Sequence, residues 1–276
     1  VRFEHEREPV LPAHPAAPWL GGKKLLAKRI IERLRQVPHD GYVEPFVGMG
    51  GVFLRRPWRV RTEVINDASR DVANLFRILQ RHYVPFMDQL RWQVTSRAEF
   101  ERLKAAVPDT LTDLERAARF LYLQRLAFGG KVRGQNFGVL PAGPGRFDVN
   151  KLGPLLEAVH DRLAGVVIEC LPWEQLLRRY DRAETLFYLD PPYWGNETDY
   201  GEGLFGPADF ERLAEALAGL RGSWLLSLND VPGVRRCFGR FAIEAVETSY
   251  SIAGGYRRHG GRVGEVLISP LLRKAD

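Results

Sequence analysis

Apolar residues recur along the chain with two distinct periods. Between Lys23 and Val37, Leu26, Ile30 and Leu34, with Ala27 and Ile31 beside them, fall at helical spacing. Pro38-His39-Asp40-Gly41 stops that helix. Tyr42–Phe46 reads as a short strand running into the glycine turn Gly48-Met49-Gly50-Gly51, and Thr62–Asn66 reads as a second strand. Asp67 follows, and then a helix with Val72, Leu75, Phe76 and Leu79 on one face. The middle of the chain is different. Phe86–Leu103, Leu114–Phe128 and Leu152–Leu163 read as helices, and 129–145 as a loop rich in glycine and arginine. Strands then resume at Val166–Cys170, Thr185–Leu189 and Ser223–Leu228. The last two flank a helix that opens at Pro207 and carries Phe210, Leu213, Ala214, Leu217 and Leu220. Two further strands are predicted at Phe241–Thr248 and Val263–Ser269.

Strand, glycine turn, strand, acid and helix follow one another as in an open α/β sheet that binds nucleotides. The expected architecture is one such sheet domain, residues 19–83 and 161–276, interrupted by a mostly helical insert at 84–160. Residues 1–18 hold Pro9, Pro12, Pro15 and Pro18 with little apolar periodicity, and are expected to form a flexible arm outside the core.

Composition narrows the class. Of 276 residues, 45% are hydrophobic and 27% charged, the balance of a globular protein. No apolar run reaches the roughly 18 residues of a membrane-spanning helix, so no membrane association is expected. The first residues carry neither an apolar signal core nor an Arg-rich presequence, and only Cys170 and Cys237 are present. A reducing cytoplasm is the expected compartment, with Cys170 a buried small side chain. His5, His14, His39, His82, His160 and His259 show no metal-ligand spacing, and no metal is assigned. Net charge is +6. Arg116, Arg119, Arg125, Lys131, Arg133 and Arg146 lie in one stretch free of Asp and Glu. Such a stretch serves equally as a solvated surface or as a phosphate-contacting one. Arg257, Arg258 and Arg262, in a glycine-rich loop, favour nucleic acid slightly.

The strongest chemical signal is Asp190-Pro191-Pro192-Tyr193, directly after the apolar strand ending at Leu189. Two prolines cannot continue a ladder, so the chain turns out at the carboxyl end of the strand, where open sheets bind ligands. The turn offers a carboxylate, a backbone carbonyl and an aromatic face together. Asp190 and the Pro191 carbonyl can each accept one N–H of an exocyclic amine, and Tyr193 can stack on the ring that bears it. The second signal is Glu44-Pro45-Phe46-Val47-Gly48-Met49-Gly50-Gly51, whose glycines let a ligand approach the backbone. Asp67 is placed to accept from ribose hydroxyls or to cap the following helix, and both roles can hold. Trp19-Leu20-Gly21-Gly22-Lys23 reads in isolation as helix-entry packing.

Taken together and in this order, these segments resemble the Dam-like class of N6-adenine DNA methyltransferases, and most of all those carried by prophages. The likeness runs from about Trp19 to Ser269 and includes Asn66-Asp67 and Phe120-Leu121-Tyr122-Leu123-Gln124-Arg125. It implies a Rossmann-like methyltransferase sheet with a helical target-recognition insert, in a cytoplasmic enzyme encoded by a bacterium or phage, for modification or protection of DNA. It implies S-adenosylmethionine as cofactor, held by Trp19, Gly22, Lys23, Glu44, Pro45, Phe46, Gly48, Gly50, Asp67 and Asp190. A flipped adenine of double-stranded DNA would enter the pocket of Asp190, Pro191, Pro192 and Tyr193. Arg116, Arg125, Lys131, Arg133, Asn136, Arg257 and Arg258 would contact the DNA. The oligomeric state stays open, a monomer included.

Two departures stand out. Where the family often carries Asp in the segment Cys170-Leu171-Pro172-Trp173, this chain has Pro172, leaving Trp173 or Glu174 to meet the cofactor's adenine. The segment Gly130–Val139 differs from the recognition hairpin of GATC-type enzymes, so no target sequence is implied. The alternatives are the same chemistry on RNA and an inactive DNA binder on this scaffold. Protein-glutamine and N4-cytosine methylation would more usually show Asn and Ser, respectively, in place of Asp190.

Overall fold

The computed structural model describes residues 7–138, 145–197, 203–247 and 264–272. The elements in chain order are β1 (Glu8–Pro9), α1 (Ala27–Arg35), β2 (Gly41–Glu44), β3 (Trp58–Arg59), β4 (Thr62–Asn66) and α2 (Arg70–Arg81). Then come α3 (Tyr83–Arg91), α4 (Arg97–Ala105), α5 (Asp113–Leu126), α6 (Val149–Arg162), β5 (Val167–Glu169) and α7 (Trp173–Tyr180). The chain continues through β6 (Thr185–Leu189), α8 (Pro207–Ala218), β7 (Ser223–Asn229), α9 (Pro232–Cys237), β8 (Ala242–Glu247) and β9 (Gly264–Ser269).

Seven strands form one sheet in the order β5-β4-β2-β6-β7-β9-β8. The first five run parallel, and β9 pairs antiparallel with β7 and with β8. Helices cover both faces. Every residue of β6 is buried, as its unbroken apolar run requires. The order makes β2 and β6 neighbours although the chain leaves β2 for β4 and β5 on one side and β6 for β7 on the other. This reversal is a topological switch point, and ligands bind at the carboxyl ends of such strands.

Helices α2 to α6 all lie between β4 and β5. Helix α5 packs on α2, so the helical segment and the sheet share a continuous apolar core. Arg162, at the end of α6, forms two hydrogen bonds with Glu63 of β4, both buried.

Two expectations are corrected. The segment 86–103 is two helices, because Ser96 accepts from the Glu99 N–H at 3.1 Å and caps α4, while the Tyr122 hydroxyl donates to the Val94 carbonyl at 2.8 Å. Residues 7–18 are not an arm outside the core. Ala13, Ala16 and Ala17 are buried, β1 pairs with β3, and the Ala13 N–H donates to the Leu54 carbonyl at 2.8 Å. Alanine and proline pack closely without any periodic signal. In addition, α1 starts later than expected, because Gly21 adopts φ 71° and Lys23 turns inward.

Candidate active site

The glycine turn leaves β2 at Pro45. Gly48 and Gly50 adopt φ of 50° and 75°, a region costly for other residues. Contact also requires glycine at 48: a Cβ there would meet the Trp19 indole nitrogen at 2.6 Å. The Gly48 N–H donates to Asp67 Oδ2 at 3.0 Å, and the Ser69 N–H donates to Oδ1 at 2.9 Å. Asp67 therefore fastens the turn to the end of β4, where Ser69 rather than Asp67 occupies the N-cap position of α2. Burial pushes its carboxyl up to about 6, against these two hydrogen bonds. The side chain of Asn66 ties the end of β4 to two loops. It donates to the Pro45 and Leu171 carbonyls and accepts from the Leu171 N–H at 2.8 Å.

The second half of the site leaves β6 at Asp190. Lys23 Nζ, with its side chain 1% exposed, lies 2.7 Å from Asp190 Oδ1. It also donates to the Tyr193 hydroxyl at 2.7 Å and to the Gly21 carbonyl at 3.1 Å. The Ser227 hydroxyl donates to the same Asp190 oxygen at 3.1 Å and is itself bonded to the Tyr188 hydroxyl at 2.9 Å. Both partners engage Oδ1, which leaves Oδ2 for a ligand. Burial pushes the Asp190 carboxyl up to about 6, and Lys23 opposes that shift. Beyond Tyr193, the Trp194 N–H donates to Asn229 Oδ1 at 3.0 Å, and Asn229 Nδ2 donates to the Trp194 carbonyl at 3.1 Å. This reciprocal pair fixes the turn against β7.

Two clefts meet here. The smaller, of about 550 Å³ and open to solvent, is lined by Trp19, Pro45, Phe46, Gly48, Asp67, Asp190 and Pro192, with Leu171, Trp173 and Phe205 opposite. The larger, of about 1730 Å³, runs past Gly22, Lys23 and Glu44 beneath the segment His14–Leu20. Of the residues expected to hold a cofactor, all but Gly50 line one cleft or the other. Gly50 shapes the turn against Leu54. Glu44 is buried, accepts from the Tyr42 hydroxyl at 2.6 Å, and is pushed up to about 8 by burial. Glu174 turns away to pair with Arg212 at 3.1 Å, so Trp173, with Leu171, lines the cleft from that segment.

The basic stretch divides. Arg116 pairs with Asp71 and, at 2.8 Å, with Asp109. Arg125 donates to the Ala16 carbonyl at 2.7 Å. Both are tied within the protein, contrary to the expectation that they face phosphate. Lys131, Arg133 and Asn136 are exposed on the loop after α5. Arg257, Arg258 and Arg262 lie outside the described residues. The loop after α5 is joined to the cleft through the buried Gln124, which donates to the Pro18 carbonyl at 2.8 Å and to the Gly130 carbonyl at 2.7 Å. Cys170 is exposed rather than buried, at the end of an edge strand. Among the described residues no group of three His, Cys, Asp or Glu could hold a metal ion, and no helix is long and apolar enough to cross a membrane. Among the site residues that escaped the sequence reading is Glu265 of β9, wholly buried, 3.5 Å from Lys23. Its only signal is an acid opening an apolar strand.

An open, mostly parallel sheet with a glycine turn and an Asp-Pro-Pro-Tyr turn side by side at its switch point defines a Rossmann-like methyltransferase. Residues 19–252 match the D12 class N6 adenine-specific DNA methyltransferase family, and the chain belongs to it. It is 23% identical over 257 residues to the type II methyltransferase M.CviBI of Paramecium bursaria Chlorella virus NC1A, covering 92% of this chain and 95% of that one. The DNA adenine methylase of Escherichia coli K12 is 28% identical over 265 residues, covering 90% and 92%. The type II methyltransferase M.MjaIII of Methanocaldococcus jannaschii is 27% identical over 243 residues, covering 78% and 84%. The protein is an adenine-specific DNA methyltransferase.

Proposed function

We propose that the two clefts together take S-adenosylmethionine and that the Asp190–Tyr193 turn receives an adenine flipped from double-stranded DNA. The observation that carries this reading is that Asp190 stands on the wall common to both clefts. The residues suit the cofactor. Trp19 lies over a glycine that no Cβ could replace, Trp173 and Phe205 offer apolar faces to a nucleobase, and the Asp67 carboxylate can accept from ribose hydroxyls. When bound, the cofactor supplies a methyl group activated by a sulfonium.

The protein's own part is to make the amine reactive. The N6 lone pair of adenine is delocalised into the ring. Asp190 Oδ2 and the Pro191 carbonyl accept the two N–H groups, favour a pyramidal nitrogen and stabilise the positive charge that grows on it. Lys23 and Ser227 hold Asp190 by its other oxygen and fix its direction. Flipping the base costs a few kcal/mol, and stacking on Tyr193 returns about 1–3 kcal/mol. Lys131, Arg133 and Asn136 contact the DNA from the loop after α5, and the helices between residues 84 and 160 form the recognition region.

The test is to incubate the protein with S-adenosylmethionine and unmethylated duplex DNA, digest to nucleosides and quantify N6-methyladenine nucleoside by mass spectrometry. Product is expected with wild type and none with Asp190→Ala, which should keep its DNA affinity. Full activity in Asp190→Ala would sink the assignment, and product on RNA but not DNA would redirect it.

A further inference from the structure

Arg55 is a cation on the wall of the larger cleft with no part in the chemistry at Asp190. The glycine turn after β2 runs into one tight helical turn, Phe53–Arg55, in which Phe53 and Leu54 are buried and Arg55 is not. Arg55 Nη1 donates to the Gly51 carbonyl at 2.6 Å. Among the described residues that carbonyl is its only acceptor, and no carboxylate pairs with it. Burial lowers its pKa, and no acid opposes that shift.

The acids lining the same cleft are engaged elsewhere. Asp190 is paired with Lys23, and Glu44 accepts from Tyr42. A half-buried guanidinium has lost part of its hydration, and an anion on its open N–H groups restores the loss through charge-assisted hydrogen bonds. There is room for one. A Cβ built on Gly51 would meet nothing closer than the Lys23 backbone nitrogen at 3.4 Å, with Arg55 Nη1 and Lys23 Cβ both at 3.9 Å. Glycine thus leaves a gap between Arg55 and the root of the Lys23 side chain. The far end of that side chain is the ammonium beside Asp190. Lys23 therefore spans from the gap to the Asp190 turn.

This span fits one end of the cofactor, and the step rests on the cofactor reading given above. Lys23 has as many bonds between Cβ and Nζ as S-adenosylmethionine has between its sulfur and its carboxylate carbon. With the sulfonium near Asp190, the amino-acid end of the cofactor reaches Gly51. We propose that Arg55 and Gly51 form the subsite for the cofactor's carboxylate, Arg55 as its charged partner and Gly51 as the gap that admits it.

The experiment is calorimetric titration of the full chain, without DNA, with S-adenosylmethionine, S-adenosylhomocysteine and decarboxylated S-adenosylmethionine, which keeps the sulfonium and lacks the carboxylate. Wild type is expected to bind the first about tenfold more tightly than the third, the size of one charged hydrogen-bonded pair. In Arg55→Gln, Kd for S-adenosylmethionine and S-adenosylhomocysteine is expected to rise about tenfold, with Kd for the decarboxylated compound unchanged. Gly51→Ala, whose methyl would make only ordinary contacts, is expected to weaken the two carboxylate-bearing ligands more than the third, and this variant decides the matter if Arg55→Gln does not fold. Equal weakening of all three ligands in either variant, or a wild type that binds all three alike, overturns the proposal and leaves the cofactor reading standing. So does an Arg55→Gln protein that keeps its cofactor affinity and loses affinity for DNA, which would make Arg55 a phosphate contact. A wild-type protein that takes up none of the three overturns the cofactor reading itself, and this inference with it.

Discussion

The Lys23 ammonium donates to the Tyr193 hydroxyl at 2.7 Å across 170 positions of sequence. It lies 4.6 Å from the centroid of the same ring. The turn after β6 is therefore held from the opposite end of the chain, and Asp190 lies in the same cluster.

Activity is expected to depend on the ionisation of Asp190, since only the carboxylate accepts freely from an amine. Burial pushes this group up to about 6; Lys23 and the Ser227 hydroxyl pull it down, and Glu265 pushes it up. Glu44, pushed up to about 8 by burial, and Tyr188, pushed well above its ordinary value by burial, stand nearby. The acid limb of kcat/KM should thus fall through about pH 6. Lys23→Met should move that limb to higher pH and Glu265→Gln to lower pH. Rate profiles from about pH 5 to 8 check the direction of each shift, and a limb that stays in place in both variants contradicts the assignment.

Glu44 makes a separate prediction about stability. Its folded-state value of about 8 lies above the ordinary 4.5, so its contribution is complete below about 4.5 and is lost as pH rises through about 8. Wild-type Tm should therefore drop by several degrees between about pH 6.5 and 8 and level off above that. Glu44→Gln keeps an oxygen for the Tyr42 hydroxyl but cannot ionise, and its Tm should stay level over that range. Thermal melts by circular dichroism would decide it.

Gly48→Ala is expected to weaken cofactor binding at least tenfold, because the added carbon would meet the Trp19 ring at 2.6 Å at a backbone angle that alanine rarely adopts. The overall fold should survive. Intrinsic tryptophan fluorescence would report the displaced indole, and calorimetry the lost affinity.

Lys131 and Arg116 were indistinguishable as charges in the sequence and should now separate. Lys131→Ala should weaken DNA binding and lower the slope of log K against log salt by about 1, with Tm unchanged. Arg116→Ala should leave that slope alone and lower Tm, since it abandons Asp71 and Asp109. Salt-dependent binding isotherms read one effect and melts the other.

The parts legible in the sequence were those set by local pattern. The bounds of β4 and β6 coincide with the expected ones, because each is a short run rich in β-branched or apolar residues ended by Asp67 or by Asp190-Pro191. The two turns at the switch point were visible for the same reason: glycine and proline fix the backbone locally. What stayed hidden depends on partners far along the chain. Nothing near Arg116 tells that Asp71 will meet it, and nothing near Glu265 tells that an antiparallel register will carry it to Lys23. The break before α4 was a different case, since Ser96 and Glu99 stand at the spacing of a helix start and were overridden by the apolar residues around them.

Asp190 engages Lys23 and Ser227 through one oxygen, and in the proposed reaction its other oxygen meets the substrate. With the Pro191 carbonyl, the site then counts protons. A primary amine brings two N–H groups to two acceptors. Once methylated, the same nitrogen has a single N–H, and one acceptor is left unmatched in a buried place, a loss of about 1–3 kcal/mol. On the proposed role of Asp190 and Pro191, the arrangement that activates adenine turns away N6-methyladenine, and one methyl per base becomes a property of the pocket rather than of how long the DNA stays bound.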